Sequence, residues 1–263
     1  MASSGAAFFD LDKTIIATSS SAAFSRPFMR EGLVTRTDAL RAAYAHFLFS
    51  VGGADERQTS RLRDALSELA KGWDVSKVTE IVSETVHDLI DPVVYQEALA
   101  LIRRHQENGR DVVVVSASGG ELVAPIATLL GADHWIASQM EIKDGTYTGQ
   151  ITFYAYGQHK ATAIRELAAE RGYDLDASYA YSDSITDAPM LNAVGHGFVV
   201  NPDRSLRRAA VKNGWGVLYF RKPVALRKAD ATGPAIASVL FVALGVVVGA
   251  LFMRAARRRR LES

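Results

Sequence analysis

The 263-residue chain contains no cysteine, which excludes disulfides and thiol chemistry and suits a reducing compartment. Its six histidines (His46, His87, His105, His134, His159 and His196) are scattered without metal-ligand spacing, and His159 reads as exposed surface at a helix start. The first residues carry neither a basic cluster nor a long apolar stretch, so no secretion signal is recognised and the body is expected to fold in the cytosol. No repeat or low-complexity tract stands out. The body also lacks a basic excess. The formal net charge is +1, but from residue 221 onward nine Lys/Arg stand against two acids, which leaves residues 1–220 at −6. An acidic body excludes general nucleic-acid binding, which needs a basic face on the folded domain.

A hydrophobic content of 48% is ample for a buried core, and the length allows one large domain or a domain with an insert. Residues 235–253 run for nineteen positions without a charge. At ~1.5 Å per residue a helix of that length covers roughly 28 Å, close to the ~30 Å hydrocarbon core of a bilayer. Arg227 and Lys228 precede the run, and Arg254 and residues 257–260, all arginine, follow it. It reads as a transmembrane segment, and with basic residues on both flanks the charge rule leaves open the side on which the tail ends. Gly245 and Gly249 form a GxxxG spacing through which two such helices, and hence a homodimer, can pack closely.

Within the body, short apolar runs alternate with helical patterns. Residues 6–11, 112–115 (four valines), 179–181 and 198–200 read as buried strands; 92–108, 121–130 and 159–171 read as helices, each stopped by a glycine. That alternation predicts an α/β fold with a Rossmann-like parallel sheet. Asp144-Gly145, between 140–142 and 147–151, predicts a hairpin appended to that sheet. Residues 37–49, 56–71 and 75–89 break the alternation and predict a helical insert after the first strand.

The first strand ends in Asp10-Leu11-Asp12-Lys13-Thr14. Alternation points both carboxylates the same way, and like charges that close call for a cation or a shared proton. The bland alternative is a capping or turn aspartate. Ser116 follows the valine strand at its carboxyl end, where open α/β sheets bind ligands. Its hydroxyl and the amides of Ala117 and Ser118 suit phosphate oxygens, although a serine there also serves as a plain helix cap. Lys160 opens a helix, where it either offsets phosphate charge or is solvated surface. The third strand ends in Ser182-Asp183-Ser184-Ile185-Thr186-Asp187, two further acids beyond an apolar run.

In this order, D-x-D-x-T, strand-Ser, Lys and D-x-x-x-D resemble the haloacid dehalogenase superfamily over residues 6–220, and the insert resembles the small cap of its phosphoserine-phosphatase-like branch (subfamily IB). The resemblance implies a phosphatase in which Asp10 is the nucleophile forming an aspartyl-phosphate and Asp12 the general acid and base. It implies Ser116, Ala117 and Lys160 as phosphate-binding groups. It also implies Mg2+ held by Asp10, the Asp12 carbonyl and Asp183, with Asp187 and Thr14 in support. An oxygen-only site suits that hard cation. Asp-Lys-Thr also occurs in the cation-pumping ATPases of the superfamily, where the Asp before Lys is the nucleophile and Gly-Thr follows. Here Ile15-Ile16 follows, so Asp10 takes that role.

The expected organisation is a core of residues 1–17 and 91–220, a cap of 18–90, a linker of 221–234, the transmembrane segment and a basic tail of 254–263. Phosphoserine phosphatases place a carboxylate soon after the first motif to meet the substrate amine, and residues 13–30 contain no acid. A membrane-proximal phosphomonoester, such as a lipid head group, is therefore the expected substrate, with the catalytic domain on the cytoplasmic side. Residues 42–51 read as helix-bundle core and, secondarily, as an apolar entrance. The alternatives are a phosphoserine-type metabolite phosphatase, a phosphotransferase, and a membrane-anchored interaction module with a vestigial site.

Overall fold

The computed structural model describes residues 5–35, 67–221 and 223. Its strands are β1 (Ala7–Asp10), β2 (Val112–Gly119), β3 (His134–Lys143), β4 (Thr146–Phe153), β5 (Tyr179–Ser182), β6 (His196–Val200) and β7 (Gly216–Leu218). The helices are α1 (Ser20–Arg30), α2 (Val75–Ile90), α3 (Gln96–Glu107), α4 (Gly120–Leu129), α5 (Gln158–Arg171), α6 (Ala188–Leu191) and α7 (Arg204–Asn213). One sheet runs in the order β4-β3-β2-β1-β5-β6-β7, and only the β3–β4 pair is antiparallel. The α/β fold with a predominantly parallel sheet is as the sequence predicts.

Both faces of the sheet are covered, which explains the run of consecutive valines. Side chains of a strand alternate between faces. Ala7, Phe9, Val112 and Val114 therefore enter one core, with α1, α2, α3 and α4, while Phe8, Val113 and Val115 enter the other, with α5, α6 and α7. The chain order turns at β1, which has β2 on one side and β5 on the other, so loops diverge there and leave a crevice at the carboxyl ends of the strands.

Two local expectations are corrected. The helix expected over 92–108 is broken, because Val94 and Tyr95 are extended and the Tyr95 N–H donates to the Ile15 carbonyl at 2.9 Å. With the Ala17 N–H donating to Val93 O at 2.8 Å, this pairing ties together the outgoing and returning chains at the base of the insert. The expected hairpin is present, and Asp144 and Gly145 both have positive φ, as a two-residue primed turn requires. It is not an appendage: β3 begins as a parallel neighbour of β2, from Val113↔His134 to Ser116↔Ala137. Its tip holds the chain entering α2, through Val75 N–H to Gly145 O at 3.0 Å and Tyr147 N–H to Trp73 O at 3.1 Å.

The α2 helix matches the expected 75–89, and the Asp74 carboxylate caps it by accepting from the Lys77 N–H at 2.9 Å. The helix expected over 37–49, most of that over 56–71 and the apolar stretch 42–51 lie outside the described residues, as does the 235–253 run. Among the described residues, no helix is long and apolar enough to cross a membrane.

Beneath β1, Phe9 stacks on Tyr181 with centroids 4.4 Å apart, and His105 of α3 meets the Tyr181 hydroxyl at 2.8 Å. Burial, reinforced by Arg110 and Arg104, lowers the His105 imidazole to about 4. The ring charges near pH 6.5 in the unfolded chain but only near pH 4 in the folded one, so the unfolded state binds the extra proton and stability falls as pH drops through that window. Denaturant titrations should show the protein losing roughly 2–3 kcal/mol between pH 6.5 and 4 relative to its His105→Phe variant. Parallel curves for the two proteins would contradict the assignment.

Candidate active site

The carboxyl ends of β1, β2 and β5 bring the expected residues together. Asp10 ends β1 and pairs in register with Val115, one residue before Ser116, while Phe9 pairs with Tyr181, one residue before Ser182. Register alone therefore gathers Asp10, Ser116, Ser182 and Asp183 at one edge.

Lys160 organises the centre. It lies in the first turn of α5, is buried, and its Nζ donates to Asp10 Oδ1 at 2.7 Å and to Asp187 Oδ2 at 2.8 Å. Burial alone lowers a lysine, but here Asp10 and Asp187 more than offset it and hold the ammonium above the ordinary lysine range. The solvated-surface reading of Lys160 fails. Asp187 is steadied in turn by the Ser182 hydroxyl at 2.7 Å.

Thr14, fully buried, links two strand ends. Its hydroxyl donates to Asp10 Oδ2 at 3.1 Å and accepts from the Asp183 N–H at 3.0 Å. Burial raises the Asp10 carboxyl; Lys160 opposes that rise, and Asp187 and Asp183 add to it. Burial likewise raises Asp183, with Lys13 opposing.

Asp12 points toward α1, where its Oδ1 accepts from the Ser20 N–H at 2.9 Å. The Ser19 cap position supplies no side-chain bond of its own, so Asp12 takes over a free N–H at that helix start. Burial raises Asp12, and the Ser20 bond pulls it back.

Ser116 is buried at the site, and its hydroxyl accepts from the Ser118 N–H at 3.2 Å. The strand runs on to Gly119, so Ala117 and Ser118 belong to the end of β2 rather than to the start of α4. The Ser118 hydroxyl meets that of Ser20 at 2.7 Å, joining β2 to α1. His159 is exposed, as expected.

The model for haloacid dehalogenase-like hydrolases matches residues 7–192, a stretch that holds every one of these groups. The chain belongs to that family. A Mycobacterium tuberculosis protein described as a probable phosphatase is 55% identical over 92% of this chain and 84% of its own length. The Streptomyces azureus inhibition of morphological differentiation protein is 52% identical over 97% and 94%. An M. tuberculosis protein named phosphoserine phosphatase is 34% identical over 97% and 81%. A crystal structure of a Bordetella pertussis protein of unknown function superposes with a TM-score of 0.72 at 28% identity, covering 82% of this chain and 98% of that one. The chain is a phosphatase of the phosphoserine-phosphatase-like kind, and the vestigial-module reading is set aside.

The sequence did not single out Gly157 or Ser182. Gly157 precedes α5 at φ 54°, ψ −122°, a combination restricted to glycine that swings Lys160 into the centre. Its signal was a glycine three residues before the helix-start lysine. In this haloacid dehalogenase-like protein, Lys160→Met leaves Asp10 and Asp187 facing each other with no cation between them. That substitution should destabilise the fold by about 3–5 kcal/mol in urea melts, and a loss below ~1 kcal/mol would refute the central role of the ion triad. Gly157→Ala should cost ~1–3 kcal/mol by the same measurement, from backbone strain alone, since the added methyl meets nothing nearer than Thr186 O at 3.7 Å.

Proposed function

We propose that the chain is a magnesium-dependent phosphomonoesterase that works through a phosphorylated Asp10. The observation that carries this reading is the buried Asp10 carboxylate, positioned by Lys160 at 2.7 Å and Thr14 at 3.1 Å at the mouth of β1. Phosphoryl transfer depends chiefly on positioning and charge neutralisation. Asp10 attacks phosphorus, the ester P–O bond breaks, and Asp12 gives its proton to the departing oxygen. Asp12 then takes a proton from water, which attacks the aspartyl-phosphate and releases phosphate with Asp10 restored. Lys160 and the Ser116 hydroxyl offset and orient the phosphoryl oxygens.

Among the described residues, no three His, Cys, Asp or Glu side chains converge as a ready-made metal cage. The donors at the site are oxygens only, and Asp10, Asp183 and Asp187 outnumber the one buried cation, Lys160. That surplus negative charge fits a hard divalent ion. The Asp10 and Asp183 carboxylates and the Asp12 carbonyl would hold Mg2+, with Asp187 and Thr14 in support. When bound, the ion supplies charge neutralisation for the phosphoryl group.

For substrate, we favour a phosphate ester at a membrane surface. The apolar run 235–253 with basic flanks supports membrane attachment, with the catalytic domain on the cytoplasmic side. The absence of acid from residues 13–30, which include α1 over the Asp12 side of the site, speaks against an amine-bearing substrate. A second reading, a phosphoserine-type substrate, draws on the 34% identical relative of that name.

The full chain should hydrolyse an aryl phosphate in Mg2+ and lose activity with chelator. Asp10→Asn should lower the rate by at least roughly 1,000-fold, and near-normal turnover in that variant would sink the nucleophile assignment. A panel of lysophosphatidic acid, phosphatidylglycerol phosphate and phosphoserine in mixed micelles decides between substrates. Preference for phosphoserine would establish the second reading. Glycerol or another alcohol added as acceptor tests for phosphotransfer.

A further inference from the structure

Among the described residues of the acidic body, α7 presents a face of opposite sign. The α7 helix reads Arg-Ser-Leu-Arg-Arg-Ala-Ala-Val-Lys-Asn, with four cations and no acid. Leu206 and Ala210 enter the core. Arg204, Arg207, Arg208 and Val211 recur at three- and four-residue spacing, so they share the opposite, exposed face, with Lys212 at its border. Val211 is 80% exposed amid these cations, an unusual position for a β-branched aliphatic side chain. Tyr219, after β7, is 48% exposed, and the Arg207 guanidinium lies 5.9 Å from its ring centroid. Val217 is exposed on the same edge strand.

The position of this face matters as much as its composition. The strands β6 and β7 run parallel to β1, so Arg204, which follows β6, and Tyr219, which follows β7, lie at the sheet edge that carries Asp10. The α7 helix itself runs back antiparallel to the strands and carries Val211 roughly 10 Å away from that edge along the flank of the sheet. Clustered arginines flanked by an exposed aliphatic and a tyrosine match the chemistry of an anionic lipid surface, where cations meet head groups and Tyr sits at the interface. In sequence, only thirteen residues (222–234) separate Arg221 from the uncharged run, and they include Lys222, Arg227 and Lys228.

We propose that the α7 face, with Tyr219, docks on anionic phospholipid and lays this flank of the body on the bilayer, so that the catalytic edge of the sheet stands beside the surface. This rests on the membrane attachment proposed above and adds the orientation of the body. The net −6 of residues 1–220 repels an anionic surface, and a wholly basic helix face offsets that repulsion locally, so charge favours this orientation.

Because the chain has no cysteine, Val211→Cys gives a single labelling site for a polarity-sensitive fluorophore, with Glu170→Cys at the far end of α5 as control. The full-length variants are reconstituted in vesicles of phosphatidylcholine, with or without phosphatidylglycerol. The 211 label is expected to shift to an apolar signal only with phosphatidylglycerol, the shift disappearing in 0.5 M salt while the 170 label stays aqueous. Adding Arg204→Glu, Arg207→Glu and Arg208→Glu should reduce the docked fraction at least ~10-fold without changing hydrolysis of a soluble aryl phosphate. A chain that floats with the vesicles while its 211 label stays aqueous overturns the docking and leaves membrane attachment standing. A chain that does not float overturns the attachment. A 211 label shielded without lipid overturns lipid as the occupant and points to a protein partner.

Discussion

A lysine ammonium buried between two carboxylates is the constraint on which the site depends. Lys160 reaches Asp10 on one side and Asp187 on the other, and none of the three is soluble in a protein interior alone. Each therefore requires the other two, and the elements that carry them, β1, α5 and the turn after β5, are held in one arrangement. The glycine-only backbone at Gly157 is a cost of reaching that arrangement, and Thr14 and Ser182 complete it with neutral hydrogen bonds. The same triad aims the Asp10 carboxyl and, through Lys160, opposes the upward shift that burial imposes on it, which favours the ionised form a carboxylate nucleophile needs.

This arrangement also explains why the chemistry sits at the carboxyl edge. A doubly covered sheet needs strands apolar on both faces, and the consecutive valines of β2 supply that. Charged groups can only be placed where the strands stop. Asp10, Ser116 and Ser182, with Asp183 directly after it, are the polar residues met at the ends of three adjacent strands, and parallel registry brings those ends level.

Much of this was legible in the sequence because it is short-range. The D-x-D spacing, the valine run, the Asp-Gly turn and the Gly-terminated helices each follow from local rules. What escaped was set by tertiary pairing. The break at Val94–Tyr95 comes from hydrogen bonds to Ile15 and Ala17, some eighty residues earlier, which no local pattern in 92–108 reveals. The parallel stretch of β3 was hidden behind a stronger hairpin signal. Local pattern alone leaves Lys160 open between a phosphate-offsetting and a solvated lysine, and its burial depends on acids 150 residues before it and 27 after it. Its role came from the order of the motifs, and its partners came from the fold.

Charge connects the catalytic edge to the rest of the molecule. The site gathers four aspartates around one buried lysine, which makes the centre itself a poor attractor for a phosphate ester. A bound divalent cation corrects that locally, but its field is strongly screened beyond roughly 10 Å. Bringing an anionic substrate to the edge is then a task for charge outside the centre. The cations of α7 start at that edge and run down the flank of the sheet without opposing acids on their helix. A cation-bearing face that flanks the centre is suited to holding an anionic surface beside the site. A substrate drawn from that surface arrives already concentrated in two dimensions, so the crevice itself needs few contacts with the rest of the molecule. That fits an insert whose first stretch carries serines and no acid.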